Sequence, residues 1–300
     1  GFTIDSTLWH KYYGIKNEKM IKDSLSEFSI GDKLVIQSDE GSYGNEHFPD
    51  DAYIMGLVTG DGTFPETRNS HSIRISLFGN KVLTDKNVIE ETVELALKRI
   101  DRDVKHNAIL TPKFSYKSNS DDVLELNSHL LFDVYHSEYE FNKLSKSKVP
   151  NKVLYADKET QSRYLSGLFE VDGTFNCSEK HKSGSIELSS ISKALLQDIQ
   201  RMLINMGIVS RIYTTKRNKN RLPNSDRKLV EYNVKDIHKL VVSDRVSRDK
   251  FFESITMSEI NNNKYESMNK WLQPKSRKAK HNFTSEIESI TFKGIEDVYD

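Results

Sequence analysis

Two stretches of the sequence decide the fold: "DDAYIMGLVTGDGTF" at residues 50–64 and "SRYLSGLFEVDGTF" at residues 162–175. They agree in register at one Tyr, Gly, Leu, Asp, Gly, Thr and Phe. Each has the apolar run of a helix and ends in an acidic residue, Asp61 or Asp172, followed by a glycine that suits the left-handed position after a helix. Because the acids lie roughly 110 residues apart, the chain is predicted to carry a duplicated unit of small-domain size.

The segments that follow each helix repeat as well. Alternating residues predict strands at 72–78, 108–116, 185–190, 210–217 and 228–234, and helical apolar spacing predicts helices at 84–100 and 192–208. Each unit therefore reads as helix, strand pair, helix, strand pair and helix. This pattern predicts an α+β fold with tandem αββαββα repeats at residues 46–150 and 151–272.

The composition fits a globular protein, with 300 residues of which 36% are hydrophobic and 29% charged. No apolar run approaches the thickness of a bilayer, so no membrane association is expected. The single cysteine, Cys177, excludes an internal disulfide framework and indicates a reducing compartment, so we expect an intracellular location in the cytoplasm or nucleoid of a microbial or phage host. The formal net charge is zero, so a nucleic-acid partner requires a local basic surface.

Small residues four apart lie on one face of each predicted helix. Gly56 and Gly60 share that face in the first helix, and Gly167 and Val171 share it in the second. Such spacing allows two helix backbones to approach closely. If the helices pair along these faces, the two acids come to adjacent C-terminal ends.

This placement of the acids is electrostatically unfavourable. An aspartate at a helix C-terminus is disfavoured by roughly 0.3–1 kcal/mol, and two close carboxylates also repel each other. A divalent cation would offset both effects, and oxygen ligands suit Mg²⁺. Paired carboxylates that hold metal beside a phosphate are the arrangement of metal-assisted phosphodiester hydrolysis. The alternative is that each Asp-Gly merely ends a core helix, but two copies matched in register favour a site.

The segments "IMGLVTGDG" and "LSGLFEVDG" resemble the nine-residue motif of the LAGLIDADG homing endonucleases in their two-motif, single-chain form. The resemblance implies a monomer with pseudo-two-fold symmetry, in which the motif helices form the central contact and two curved sheets form a saddle over double-stranded DNA. It implies metal ligands at Asp61, Asp172 and the carbonyls of Gly60 and Val171. It also implies Mg²⁺-dependent cleavage of both strands at a long site, with Mn²⁺ as a replacement and Ca²⁺ as a non-cleaving substitute.

Members of this family usually place a lysine late in each repeat, near the metals. In the first repeat, "KSKVPNKVL" offers Lys148 as the choice, with Lys146 close behind because the family's spacing from lysine to proline is not reproduced. In the second repeat, "NNNKYESM" offers Lys264. Such a lysine would polarise the attacking water or stabilise charge on the phosphate. The alternative is that these are ordinary surface lysines.

Basic residues fall where the strands of the saddle are predicted. The stretch "RIYTTKRNKNRLPNSDRK" at residues 211–228 contains one acid, and shorter basic sets lie in the first repeat. Phosphate contacts by such residues give salt-dependent affinity, and contacts to base edges give specificity. The candidate DNA-binding residues are His71, Arg74, Lys113, Lys117, Arg211, Lys216, Arg217, Lys219, Arg221, Arg227 and Lys228.

The flanks, residues 1–45 and 273–300, read as strands such as "FTIDST" and "SIGDKLVIQS", with a basic linker before a returning strand segment. They resemble the splicing domain of inteins, because Thr7 and His10 fit its Thr-x-x-His element and Asp300 fits the acidic position of its late block. The segment has neither an N-terminal nucleophile nor a terminal His-Asn. This predicts an intein endonuclease trimmed at both ends.

The sequence therefore predicts a site-specific DNA endonuclease of intein origin. Two alternatives stay open. One is a non-cleaving nucleic-acid-binding protein on the same scaffold, such as a maturase or a regulator, and the other is a residual protein-splicing element. A non-cleaving protein has usually lost one or both acids, and both are present here.

Overall fold

A computed structural model describes residues 2–37, 39–67, 70–79, 88, 91–92, 94–96, 98–99, 122–178, 180, 183–217, 219–223, 229–271 and 283–295. It divides the chain into a small unit, Gly1–Ser38 with Lys275–Asp300, and a large unit, Asp39–Pro274. The sequence predicts the first flank to end at residue 45 and the second to begin at residue 273, which differs from these divisions by seven and two residues. Both repeats lie in the large unit. No helix in the described ranges is long and apolar enough to cross a membrane.

Seven helices have defined bounds: α1 Pro49–Asp61, α2 His129–Tyr139, α3 Asn151–Leu154, α4 Lys158–Asp172, α5 Lys193–Asn205, α6 Arg245–Ser254 and α7 Glu259–Trp271. The described residues between 88 and 99 are also helical, within the helix predicted at 84–100.

The strands are β1 Lys11–Lys16, β2 Lys19–Ser24, β3 Lys33–Val35, β4 Gly62–Thr63, β5 Glu66–Thr67, β6 Ser70–His71, β7 Ile73–Gly79, β8 Asp122–Ser128, β9 Gly173–Ser178, β10 Ser183–Ser190, β11 Arg211–Thr215, β12 Lys219–Pro223, β13 Leu229–Asn233, β14 Ile237–Val242 and β15 Thr284–Glu286.

The two repeats build the same antiparallel sheet. In the second repeat the strand order is β11-β14-β10-β9, and in the first it is β4-β7-β8. The register also agrees, because Gly62 pairs with Ile75 in the first repeat and Gly173 pairs with Leu188 in the second. The partner expected beside β8, at residues 108–116, lies outside the described residues. The duplicated mixed α and β architecture predicted from the sequence is thus present.

One strand predicted in the second repeat is present but lies outside the saddle sheet. The segment at 228–234 was expected in the saddle sheet, but β13 pairs with β12 in a separate two-stranded ribbon. The sheet instead takes in β14, which has buried residues Leu240 and Val242 and was not predicted. All five residues of β13 are exposed, so burial favours β14 as the sheet strand.

Helices α1 and α4 pack against each other in the centre of the large unit. Gly56 and Gly167 lie at their contact, each against the main chain of the opposite helix. The side chains around them, among them Tyr53, Leu57 and Tyr164, are almost fully buried. The predicted helix pairing through small residues is therefore confirmed.

Polar contacts fix the N-terminal ends of these helices. The buried carboxylate of Asp51 in α1 accepts hydrogen bonds from the hydroxyls of Tyr135 (3.1 Å) and Tyr139 (2.7 Å) of α2. Asp157 caps α4 by accepting from the amide of Thr160 (2.8 Å), and it also contacts His47 Nδ1 at 2.6 Å. The start of each helix is thereby held while the two C-termini converge.

The small unit forms a four-stranded sheet of order β15-β3-β1-β2. Its first two strands are joined by Asn17 and Glu18, both with positive φ, which is the backbone of a tight hairpin turn. This hairpin was not predicted, and the strand predicted from "FTIDST" is absent because residues 2–7 lie outside any strand. The returning segment does pair with the N-terminal part, since Thr284 faces Val35.

Candidate active site

The motif helices end abruptly at a glycine. The amide of Gly62 donates to the carbonyl of Val58, and that of Gly173 donates to the carbonyl of Phe169. The left-handed conformation predicted for both is wrong, because their φ angles are −80° and −71° and each glycine opens a strand directly. Glycine is needed for space instead: a Cβ would lie 2.6 Å from the Val58 oxygen in one case and 2.2 Å from the Phe169 oxygen in the other.

The structure brings the two acids together. A Cβ on Gly60 would lie 3.3 Å from a carboxylate oxygen of Asp172, and the side chain of Val171 is nearer still. Burial raises the pKa of Asp61. Burial and the charge of Asp61 raise the pKa of Asp172 to about 6, although the Lys146 ammonium opposes this. Two carboxylates that disturb each other's ionisation form the centre of the site.

Lys146 is the lysine beside these acids. Its ammonium donates to the carbonyl oxygens of Gly60 (2.6 Å), Gly62 (2.7 Å) and Val58 (3.3 Å). Burial lowers its pKa, while the charges of the two acids act in the opposite direction. The ammonium thus caps the C-terminus of α1, where the helix dipole favours a cation.

Lys148, the first choice from the sequence, lies elsewhere. Its side chain is exposed and faces a surface cavity that Glu46 and Tyr155 also line. Its charge acts on Asp198 rather than on the motif acids. The 3₁₀ turn Lys143–Lys146 directs Lys146 to the helix end, so geometry selects Lys146 in place of Lys148.

Lys264 has contacts with residues other than the two acids. Its ammonium donates to Asn261 Oδ1 (2.9 Å) and lies 5.9 Å from the centre of the Phe175 ring. Asn261 in turn donates to Glu170 Oε2 (2.8 Å). The end of α4 is therefore flanked by an amide and a carboxylate, where the end of α1 has an ammonium.

The donors at the helix ends suit a hard divalent cation. The carboxylates of Asp61 and Asp172 and the carbonyls of Gly60 and Val171 supply only oxygen. Among the described residues there is no group of three or more His, Cys, Asp or Glu side chains able to hold a metal. A site with two carboxylates matches an ion that keeps several ligands from water or phosphate, as Mg²⁺ does.

The sheet of the second repeat has one apolar and one polar face. Ile186, Leu240 and Val242 are buried on one side, while Arg211 and Tyr213 of β11 are exposed on the other. Lys239, opposite Tyr213 in the register, joins this polar face and pairs with Glu187 at 2.7 Å. Tyr213 and Lys239 were not singled out from the sequence, where each has an apolar neighbour on one side only, so the local pattern is a weak signal.

The remaining predicted DNA-binding residues are spread over several elements. Arg74 lies in β7 between the buried Ile73 and Ile75, which places it on the opposite, polar face. His71 is exposed in β6 and stacks on Phe132. Lys216 and Arg217 lie directly after β11, and Lys219 and Arg221 lie in the ribbon. The remaining candidates lie outside the described residues: Lys113, Lys117, Arg227 and Lys228.

The predicted splicing residues fall in the small unit. The amide of His10 donates to the carbonyl of Thr7 (3.2 Å), so the two belong to one turn before β1. Asp300 lies outside the described residues. The two flanks are linked in the structure by one sheet, in which β15 pairs with β3.

Comparison with known proteins identifies a protein family for the second repeat. A family model described as a LAGLIDADG-like domain matches residues 159–256, which hold the second motif helix and most of its repeat. Residues 159–256 therefore match a LAGLIDADG-like domain, as the second motif helix predicted, and the first repeat has the corresponding helix, sheet and register.

Among curated proteins, the ribonucleoside-diphosphate reductase NrdEB subunit alpha of Bacillus subtilis is 42% identical over 100% of this chain and 28% of its own length. Glutamine–fructose-6-phosphate aminotransferase of Methanocaldococcus jannaschii is 25% identical over 78% of this chain and 19% of its own length. The chain thus spans less than a third of the curated relatives it matches. The solved structure of I-DmoI in complex with DNA and Mn covers 70% of this chain and 98% of its own, at 19% identity and a TM-score of 0.44.

Proposed function

We propose that this protein is a site-specific DNA endonuclease of the homing type, which hydrolyses both strands of a long recognition site with a divalent cation, Mg²⁺ in the first instance. One observation carries the proposal. The duplicated helices α1 and α4 bring Asp61 and Asp172 together at one end of a buried helix pair. A structural helix pair has no need to place two carboxylates at its negatively polarised end.

The residues of the site have different proposed roles. Asp61, Asp172 and the carbonyls of Gly60 and Val171 would hold the metal, and Lys146 lies close enough to stabilise charge on a phosphate. A bound divalent cation supplies positive charge that polarises the phosphodiester and makes water a better nucleophile. The packed helix pair holds the two carboxylates in place, so the acids themselves need not move when the substrate arrives.

The polar faces of the two sheets are the proposed DNA surface. Arg211, Tyr213 and Lys239 in the second repeat, and Arg74 in the first, lie in the sheets whose strands β9 and β4 begin directly after the motif helices. Basic side chains supply phosphate contacts, while polar strand residues read base edges in the major groove. We propose that one chain suffices, because its two repeats supply both halves of the site.

The relatives support an inserted element as its origin. Matching segments occur in proteins named as a reductase subunit, an aminotransferase and a translation initiation factor, and in each they span less than a third of the length. Three unrelated activities cannot share one catalytic segment, so the shared part is best explained as an insertion. We propose that the small unit, with Thr7 and His10, derives from an intein splicing domain around the endonuclease.

A plasmid assay tests the function. The substrate is a plasmid with the uninterrupted reductase gene, since the 42% identical relative is a reductase subunit. Incubation with the protein and Mg²⁺ should linearise this plasmid and leave the empty vector intact. Tight binding without a metal-dependent cut would indicate the non-cleaving alternative.

A further inference from the structure

The Lys146 ammonium is hydrogen-bonded to an oxygen atom that is also a proposed metal ligand. Its ammonium lies 2.6 Å from the carbonyl oxygen of Gly60, one of the four proposed metal ligands. A Mg²⁺ ion on the same oxygen would bind at about 2.1 Å, which would bring the two cations within about 4 Å of each other. At that separation the repulsion between a divalent and a monovalent cation is substantial, even with strong screening.

The other half of the site has no such obstacle. Within the described part of the chain, no side-chain ammonium is hydrogen-bonded to the carbonyl of Val171. Lys264, the lysine predicted for this repeat, donates to Asn261 at 2.9 Å, and Asn261 donates to Glu170 at 2.8 Å. The two motif helices therefore differ: α1 ends at a lysine cap, and the described residues place no ammonium on the last carbonyl before Asp172 in α4.

We propose that Lys146 is a resident cation, which occupies the Gly60 half of the metal site in the metal-free protein and has to withdraw before a divalent ion binds there. This inference rests on the proposed function, because it assumes the metal site at Asp61 and Asp172. It makes the two halves unequal. The Val171 half accepts an ion directly, whereas the Gly60 half accepts one only when three hydrogen bonds of Lys146 break.

The arrangement has a physical reason. Two carboxylates at the C-termini of paired helices repel each other and the helix dipoles. An ammonium on the α1 carbonyls offsets part of this repulsion while the protein is free of metal. Lys146 therefore stabilises the empty site and opposes its premature loading.

Calorimetric titration of the DNA-free full chain with Ca²⁺ tests the inference. Lys146→Met removes the ammonium at similar volume, and Lys148→Met makes the same charge change at an exposed position away from the acids. We expect Lys146→Met to bind Ca²⁺ at least about tenfold more tightly than the native chain, because hydrogen bonds to charged groups are worth that much. Lys148→Met should bind Ca²⁺ as the native chain does.

Thermal unfolding without metal gives a second reading. Lys146→Met should unfold at a lower temperature than the native chain, and saturating Ca²⁺ should close the gap. If Lys146→Met unfolds before it can be titrated, Lys146→Gln, which keeps a polar end, replaces it in both measurements. Equal or weaker Ca²⁺ binding by the folded variant overturns the inference.

The plasmid assay separates this outcome from a failure of the proposed function. A native chain that cuts DNA with Mg²⁺, while Lys146→Met gains no affinity, refutes only the role of Lys146. A native chain that neither cuts DNA nor binds Ca²⁺, with no gain in the variant, refutes both.

Discussion

Gly56 and Gly167 make the same contact from opposite sides of the helix pair. A Cβ on Gly56 would lie 2.1 Å from the carbonyl oxygen of Tyr164, and a Cβ on Gly167 would lie 2.2 Å from that of Tyr53. Both obstacles are main-chain atoms inside helices, so neither can move without shifting a whole helix. The distance between α1 and α4 is therefore set by the absence of two methyl groups.

Alanine at either glycine should force the helices apart. We expect Gly56→Ala or Gly167→Ala to lower the free energy of unfolding by about 2 kcal/mol or more, since overpacking a dense core costs this much. Urea unfolding followed by circular dichroism measures it. Glu159→Ala, on the exposed side of α4, is the control and should change the free energy by less than about 1 kcal/mol. Equal effects at both kinds of position would show that the helices can separate freely.

Removing either motif charge should stop the reaction. Asp61→Asn or Asp172→Asn keeps the shape of the side chain but removes a hard anionic ligand, so we expect double-strand cleavage with Mg²⁺ to be abolished. DNA binding, measured by gel shift in Ca²⁺, should remain largely intact. Asp133→Asn, an exposed change in α2, should cut like the native chain. Cleavage at the native rate by either motif variant would exclude its acid from the metal site.

Metal affinity should rise with pH through the pKa of Asp172. A proton and a cation compete for this carboxylate, whose pKa is raised to about 6 by burial and by Asp61. Below that pH the protonated form dominates, so Ca²⁺ affinity at pH 5 should be about tenfold below its value at pH 7.5. Calorimetry at both pH values measures the ratio. A ratio near one would mean that Asp172 titrates at its ordinary pKa or does not bind metal.

In the metal-free protein, the raised pKa of Asp172 makes the fold less stable as the pH rises, whereas metal affinity increases. Because the folded pKa of Asp172 exceeds the unfolded one, its contribution to stability is full below about pH 4 and is lost as the pH rises through about 6. Asp172→Asn should therefore remove part of the pH dependence of thermal unfolding in this range.

DNA affinity should fall steeply with salt, although the net charge is zero. Lys216 and Arg217 are exposed directly after β11, and the removal of one phosphate-binding cation should reduce the slope of log K against log salt by about 0.9. The double variant to Gln should thus lower the slope by about 1.8, as measured by fluorescence anisotropy between low and moderate salt. Lys152→Gln, which removes a cation paired with Glu46, should leave the slope unchanged.

His47 should make stability depend on pH near neutrality. A hydrogen bond to the Asp157 carboxylate, at 2.6 Å, raises the pKa of His47. The stabilising contribution of protonated His47 is full below about pH 6.5 and is lost as the pH rises through the folded pKa. His47→Gln should therefore lower the melting temperature at about pH 6 but not at about pH 9. An equal change of the melting temperature at both pH values would show that the effect does not depend on the charge of His47.

The elements with strong local patterns could be predicted from sequence. The motif helices, the helices after the first strand pairs, and β7 and β10 all have uninterrupted apolar spacing. Neither β13 nor β14 alternates strictly between apolar and polar residues, so the long-range pairing of β14 with β10 and β11 decides which strand enters the sheet. The hairpin at Asn17 and Glu18 lacks the glycine that usually marks such a turn, and its positive φ angles are visible only in the folded chain.

In the site, too, only the residues with a strong local sequence pattern could be predicted. The acids could be identified because their motif is repeated, but the sequence offers no reason to prefer Lys146 over Lys148. Their directions depend on a 3₁₀ turn that Asn142 caps by accepting a hydrogen bond from the amide of Leu144 (2.8 Å). A short local cap thus decides which lysine reaches a helix end that is distant in the sequence.

The sheet that unites the chain ends also constrains the order of folding. Val35 pairs with Thr284, so β3 has no β15 partner until the roughly 250 residues between them have been synthesised. A contact of this sequence separation is slow to form from an extended chain, because the loop it closes is long. A large unit that folds first would shorten the effective loop. Folding of the two repeats before β3 pairs with β15 would therefore reduce the entropy cost of forming the sheet of the small unit.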